Sequence, residues 1–126
     1  MLDGCKIIAF AATVDGTKCR AFYHDVLGLD FISEDDFSLV FDANGIELRI
    51  QKLQTFAPQT HTQLGWSVSS IEQLISALRT RGAVFETCPF LQQSADGIWT
   101  APSGAKIAWL KDPDGNLLSL PEPKRG

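Results

Sequence analysis

The order strand, helix, closing glycine, then two strands joined by a tight turn occurs twice along the chain. No other feature limits the possible folds as tightly. In the first half, the apolar run over residues 6–14 reads as a buried strand. Asp15 offers an N-cap oxygen to a helix over residues 17–27, where Ala21, Phe22 and Leu27 recur at helical spacing. Gly28 suits the left-handed conformation that closes a helix. In the second half, residues 63–68 form the strand and Ser70-Ile71-Glu72-Gln73 has the pattern of a capping box. Ile71, Leu74, Ile75 and Leu78 then make one apolar stripe, closed by Gly82. The spacing is kept: Ser70 stands 55 residues after Asp15, and Gly82 stands 54 after Gly28.

Each half ends in a hairpin signal. Asp42-Ala43-Asn44-Gly45 leads into residues 46–51, and Asp112-Pro113-Asp114-Gly115 leads into residues 116–121. The two turn glycines lie 70 residues apart, so the second half holds about 15 more residues between helix and hairpin. That insertion falls in the polar stretch 89–104 and reads as a longer hairpin loop over a cavity. The sequence therefore predicts one α+β domain over 1–126. Module one covers about 5–54, a linker about 55–62 and module two about 63–122. Each module is βαβββ, with one helix on the outer face of a four-stranded mixed sheet. The faces without helices are expected to curl around a cavity.

Charge and cysteine content narrow the function classes. Eleven Lys and Arg against fifteen Asp and Glu leave a formal charge of −4, which disfavours a nucleic-acid partner. No apolar run approaches the roughly 20 residues of a membrane span, and the acidic start Met1-Leu2-Asp3 is unlike a leader peptide. Cys5, Cys19 and Cys88 are odd in number and lack a CxxC spacing, as reduced thiols in the cytoplasm would be.

Two stretches, Ala21-Phe22-Tyr23-His24-Asp25-Val26-Leu27-Gly28-Leu29 and Lys111-Asp112-Pro113-Asp114-Gly115-Asn116-Leu117-Leu118, resemble hallmarks of the vicinal oxygen chelate superfamily. That group includes glyoxalases, bleomycin-resistance proteins, extradiol dioxygenases and fosfomycin-resistance enzymes. The resemblance implies a divalent metal held by a His or Gln near the start of each module and a carboxylate on each last strand. The repeat carries those positions to Ile8, Arg49, Gln63 and Ser119. Ile8 offers no lone pair, Arg49 presents only donors and a fixed positive charge, and Gln63 and Ser119 are neutral and weak. A divalent ion needs several oxygen or nitrogen donors, preferably with a carboxylate among them, so no metal and no other cofactor is expected. A displaced site using His61 and Glu47 is weaker than the reading of both as ordinary surface residues.

Strand alternation puts Phe10 beside Ile8, Glu47 and Gln51 beside Arg49, and Trp66 on the helix side as core. Trp99 lies in the insertion, where it can close over the cavity; Trp109 is either core or pocket wall. Arg49 either holds a ligand carboxylate or phosphate or pairs with Glu47. Glu34-Asp35-Asp36 reads as a solvated turn or a rim for cationic ligands. The expected binding set is Ile8, Phe10, Glu47, Arg49, Gln51, Gln63, Trp99, Trp109 and Ser119, with no catalytic residue assigned. Such a lining suits a metal-free protein of the bleomycin-resistance type that sequesters or carries an aromatic or partly apolar small molecule. A homodimer is expected from the resemblance, with no nucleic acid or membrane as partner. The rival reading is a glyoxalase-like lyase or isomerase with a displaced metal or with Arg49 as electrophile. A degenerate interaction module, with a filled cavity, is the third.

Overall fold

The computed structural model describes residues 1–124. Module one supplies β1 (Ile8–Thr13), β2 (Asp30–Glu34), β3 (Ser38–Ala43) and β4 (Ile46–Lys52), ordered β1-β4-β3-β2. Module two supplies β5 (Thr62–Gly65), β6 (Trp99–Thr100), β7 (Lys106–Lys111) and β8 (Leu117–Glu122), ordered β5-β8-β7-β6. In both sheets the first strand runs parallel to the last and the remaining pairs are antiparallel. The internal repeat is thus a repeat of topology, and the α+β architecture is the expected one.

Helix α1 (Gly16–Arg20) starts where Asp15 accepts the Lys18 N–H at 3.1 Å, the cap read from the sequence. It then widens into a π-helical turn over Ala21–Val26, which periodicity did not foretell. Gly28, at φ +79°, ends it. A side chain would be strained there, and the glycine lets its N–H reach His24 O while Leu29 N–H reaches Tyr23 O.

Helix α2 (Ile71–Thr80) buries Ile71, Ile75 and Leu78, as its stripe predicts, but the capping box does not form. Ser70 sits at φ +53° and its side chain caps nothing. The free Ile71 N–H instead donates to Glu122 Oε1 at 3.0 Å, so the cap comes from the end of β8. A second difference lies in the insertion. β6 has only two residues, because residues 84–98 form a loop held by the Gln93 side chain. That amide accepts the Cys88 N–H and donates to the Glu86 and Gly97 carbonyls.

Alternation sorts the strands cleanly. Leu39, Phe41, Leu48 and Ile50 from the first sheet share one buried cluster with Leu110, Leu118 and Leu120 from the second. Ala11 of β1, Cys19 and Tyr23 from the first helix, Leu78 from α2 and Ala83 after it complete the cluster. Partners on the opposite faces, including Ile8, Phe10, Glu47, Arg49 and Ser119, remain at least partly exposed. Side chains of module two also satisfy the outer edge of β1. Gln63 Nε2 donates to Phe10 O, Asn116 Nδ2 donates to Ala12 O, and Asp114 Oδ1 accepts the Val14 N–H. An edge strand that would otherwise present unpaired backbone groups is closed by side chains from the other half.

Candidate functional site

The face of the first sheet without helices is built around β1 and β4. Ile8 stands opposite Glu47 and Phe10 opposite Arg49, with Val40 of β3 on the other side of Arg49. The Arg49 guanidinium is paired with Glu47: Nη2 lies 3.0 Å and Nε 3.2 Å from Glu47 Oε2. Of the two roles open to Arg49, the structure displays the ion pair. Ile8 and Phe10, on the edge strand β1, remain 42% and 45% exposed.

On the second sheet, Ser119 lies between Gly65 of β5 and Trp109 of β7. Ser119 Oγ would come within 3.0 Å of a Cβ at position 65, so the glycine permits this close approach. Gln63 falls in a break of register between Thr62 and Leu64, and its amide nitrogen is bound to Phe10 O. Trp99, on the edge strand β6, packs against Trp109 of the adjacent β7 with ring centroids 6.2 Å apart and planes 31° apart, so this end of the insertion joins the sheet beside β7. Trp66 packs against the buried cluster, as alternation predicts.

Three cavities divide most of the expected lining. One of about 460 Å³ takes Ile8 and Glu47 together with Ile32, Val40, Asp30 and Asp42. A second of about 250 Å³, at the junction of the modules, gathers Phe10, Gln51 and Gln63 beside Leu53, Phe56 and Asn116. A third of about 290 Å³ lies under the insertion, between Trp109, Leu117, Pro89 and Leu91. Arg49, Ser119 and Trp99 line none of these three, although each borders a residue that does.

The four positions implied for a metal fail as a donor set. An isoleucine, a guanidinium already paired, an amide already bonded and a hydroxyl provide no carboxylate and little free electron density. Among the described residues, no three His, Cys, Asp or Glu side chains are grouped to hold an ion. His61 is exposed next to β5, and Glu47 is the Arg49 partner. The acidic turn is structural. Glu34 pairs with Lys52 at 2.6 Å, while Asp35 accepts the Phe37 and Ser38 N–H groups, which hold its carboxyl below the usual range.

A network not foreseen from the sequence centres on Asp112. Its Oδ2 accepts the Tyr23 hydroxyl at 2.6 Å and Asn116 Nδ2 at 2.8 Å, and its Oδ1 accepts the N–H groups of Asp114 and Asn116 at 2.9 Å. Tyr23, Asp112 and Asn116 are all buried. The Asp-Pro-Asp-Gly-Asn stretch therefore acts as a clasp: it spans a five-residue connection from β7 to β8 and locks module two onto the first helix and β1.

A family model described as the Glyoxalase/Bleomycin resistance protein/Dioxygenase superfamily matches residues 8–120. No curated protein matches the chain. Among solved structures, a bleomycin resistance determinant encoded on transposon Tn5 is similar at a TM-score of 0.73 with 16% identity, over 95% of this chain and 98% of that one. The glyoxalase family protein from Enterococcus faecalis gives a TM-score of 0.67 with 22% identity, over 93% and 94%. Lactoylglutathione lyase from Agrobacterium tumefaciens gives 0.71 with 15% identity, over 94% and 93%. At such identities the likeness concerns the fold.

Proposed function

The chain belongs to the glyoxalase/bleomycin resistance protein/dioxygenase superfamily, and we propose that within it this protein binds a small aromatic or partly apolar molecule without a metal. The observation that carries this reading is the Arg49–Glu47 ion pair at a position where the family's metal enzymes would need a free carboxylate. Ile8, Gln63 and Ser119 add no anionic donor. What these faces do offer is apolar and aromatic surface: exposed Ile8 and Phe10 and the half-buried, tilted pair Trp99 and Trp109. Such surface binds by burial and stacking. The lyase or isomerase reading asks Arg49 to stabilise developing negative charge, and its guanidinium is already engaged by Glu47.

Protein purified without chelator should contain no stoichiometric divalent ion by elemental analysis. In a screen of aromatic antibiotics and metabolites, a binding compound should quench tryptophan emission, and Trp109→Ala should weaken it about tenfold or more. A stoichiometric metal together with no bound compound would sink the reading.

The same proposal includes two copies pairing over these exposed faces in the cytoplasm. Ile32, 59% exposed and in the same cavity as Ile8, and Phe37, 79% exposed in the turn between β2 and β3, extend the apolar surface that a second copy would cover. The three free cysteines suit a reducing compartment. Light scattering should return the mass of two chains; a single-chain mass at micromolar concentration would remove the dimer from the proposal.

A further inference from the structure

We propose that a crevice on the helix side of the second sheet is a separate binding site for a short apolar carboxylate, with Arg81 holding its head group. The crevice has a volume of about 240 Å³ and runs between the end of the first helix and α2. Its walls include Leu27, Leu29, Trp66, Leu74, Leu78 and Leu110, and no ionisable side chain lines it. Leu118 and Leu120 form its floor, so it lies on the opposite face of β8 from Ser119. It is therefore distinct from the surfaces invoked above for the aromatic ligand.

Two observations fix the chemistry of the occupant. A lining that is apolar apart from Ser67 favours an apolar body. At about 240 Å³ it lies below the roughly 300–1,000 Å³ of a site for drug-sized compounds, which limits that body to a short chain or a single ring. The second observation is Arg81. One of its guanidinium nitrogens lies 3.4 Å from where a Cβ at Gly28 would stand, between the wall residues Leu27 and Leu29. Every other described arginine is engaged: Arg49 with Glu47, Arg79 with Asp96, and Arg20 over the Phe31 ring at 3.8 Å. Among the described residues, Arg81 makes no ion pair and donates no side-chain hydrogen bond. A planar guanidinium at the edge of an uncharged crevice matches a carboxylate bidentately while the apolar tail enters the pocket. A cationic amphiphile would meet repulsion there, and a neutral one would leave the guanidinium unused.

The experiment uses Trp66 as reporter. In a chain carrying Trp99→Phe and Trp109→Phe, octanoate should change Trp66 emission saturably and bind more tightly than octanol or octylamine. Adding Arg81→Gln should weaken octanoate about tenfold or more and leave octanol unchanged. Arg81 is exposed, so this change should not disturb folding. In the unaltered chain, octanoate should raise the Tm, and the rise should disappear in Arg81→Gln. Equal affinity for octanoate and octanol, or octanoate binding that survives Arg81→Gln, overturns the proposal. Neither result bears on quenching of Trp99 and Trp109 by an aromatic ligand, so the two sites fail separately.

Discussion

Replacing Asp112 by alanine is expected to lower the unfolding free energy by about 3–5 kcal/mol, read from urea denaturation at neutral pH. The size follows from what the carboxylate leaves behind. Its four accepted hydrogen bonds serve the Tyr23 hydroxyl, the Asn116 amide and two turn N–H groups. Tyr23 and Asn116 are buried, so the Tyr23 O–H and the Asn116 amide hydrogen directed at Asp112 would have neither a partner nor ready access to water, while the other amide hydrogen keeps Ala12 O. An unsatisfied buried donor costs about 1–3 kcal/mol, and at least two are created at once. Tyr23→Phe removes only one donor and leaves the other three in place, so its cost should be nearer 1–2 kcal/mol. The contrast between the two variants is diagnostic. If Asp112→Ala costs no more than Tyr23→Phe, the clasp does not hold the modules together in the manner described. Against a typical total stability of about 5–15 kcal/mol, the larger loss would leave the chain marginal.

The clasp also shows where sequence reasoning reaches and where it stops. Turn and strand signals are local, so Asn44-Gly45 and the alternation of Ile46-Glu47-Leu48-Arg49-Ile50-Gln51 were readable, including the facing of Glu47 and Arg49 onto one side. Asp112 was readable only as a turn residue, because its decisive partner, Tyr23, lies 89 positions away. Ser70 failed as a cap for the same reason: the competing acceptor, Glu122, lies 51 residues beyond the Ile71 N–H that it accepts. Alternation placed Trp66 on the helix side correctly. It could not show how the lining would divide, since that depends on how the modules meet, and six of the nine residues read as one lining are spread over three cavities while Arg49, Trp99 and Ser119 line none of them. The leucines around the Arg81 crevice were legible as helix and strand core. Their failure to close the space between them was not, because packing gaps leave no trace in periodicity.

Stability should fall steeply as pH rises from 9 to 11, and two buried groups in the central cluster should account for much of it. Burial, reinforced by the negative charges of Asp112 and Asp114, pushes the Cys19 thiol up from 9.0 to about 12. Tyr23 is raised well above 10.0 by burial first and by its bond to Asp112. Both groups hold their protons more tightly in the folded chain than in the unfolded one. Their contribution is therefore complete below the unfolded values and is lost as pH climbs towards the folded ones. Each retained proton removes about 1.4 kcal/mol per pH unit. The decline should run near that slope between pH 9 and 10, where only the unfolded thiol titrates, and approach twice that slope above pH 10. Lys106, kept protonated by Glu72, loses its ion pair in the alkaline range as well, so differences between variants are more informative than the raw decline. Urea denaturation of Cys19→Ala should show the first segment flattened and the second retained; Tyr23→Phe should keep the first and lose the steepening. A wild-type stability that stays level to pH 11, or a Cys19→Ala profile parallel to it, would mean that neither proton is held by the folded core.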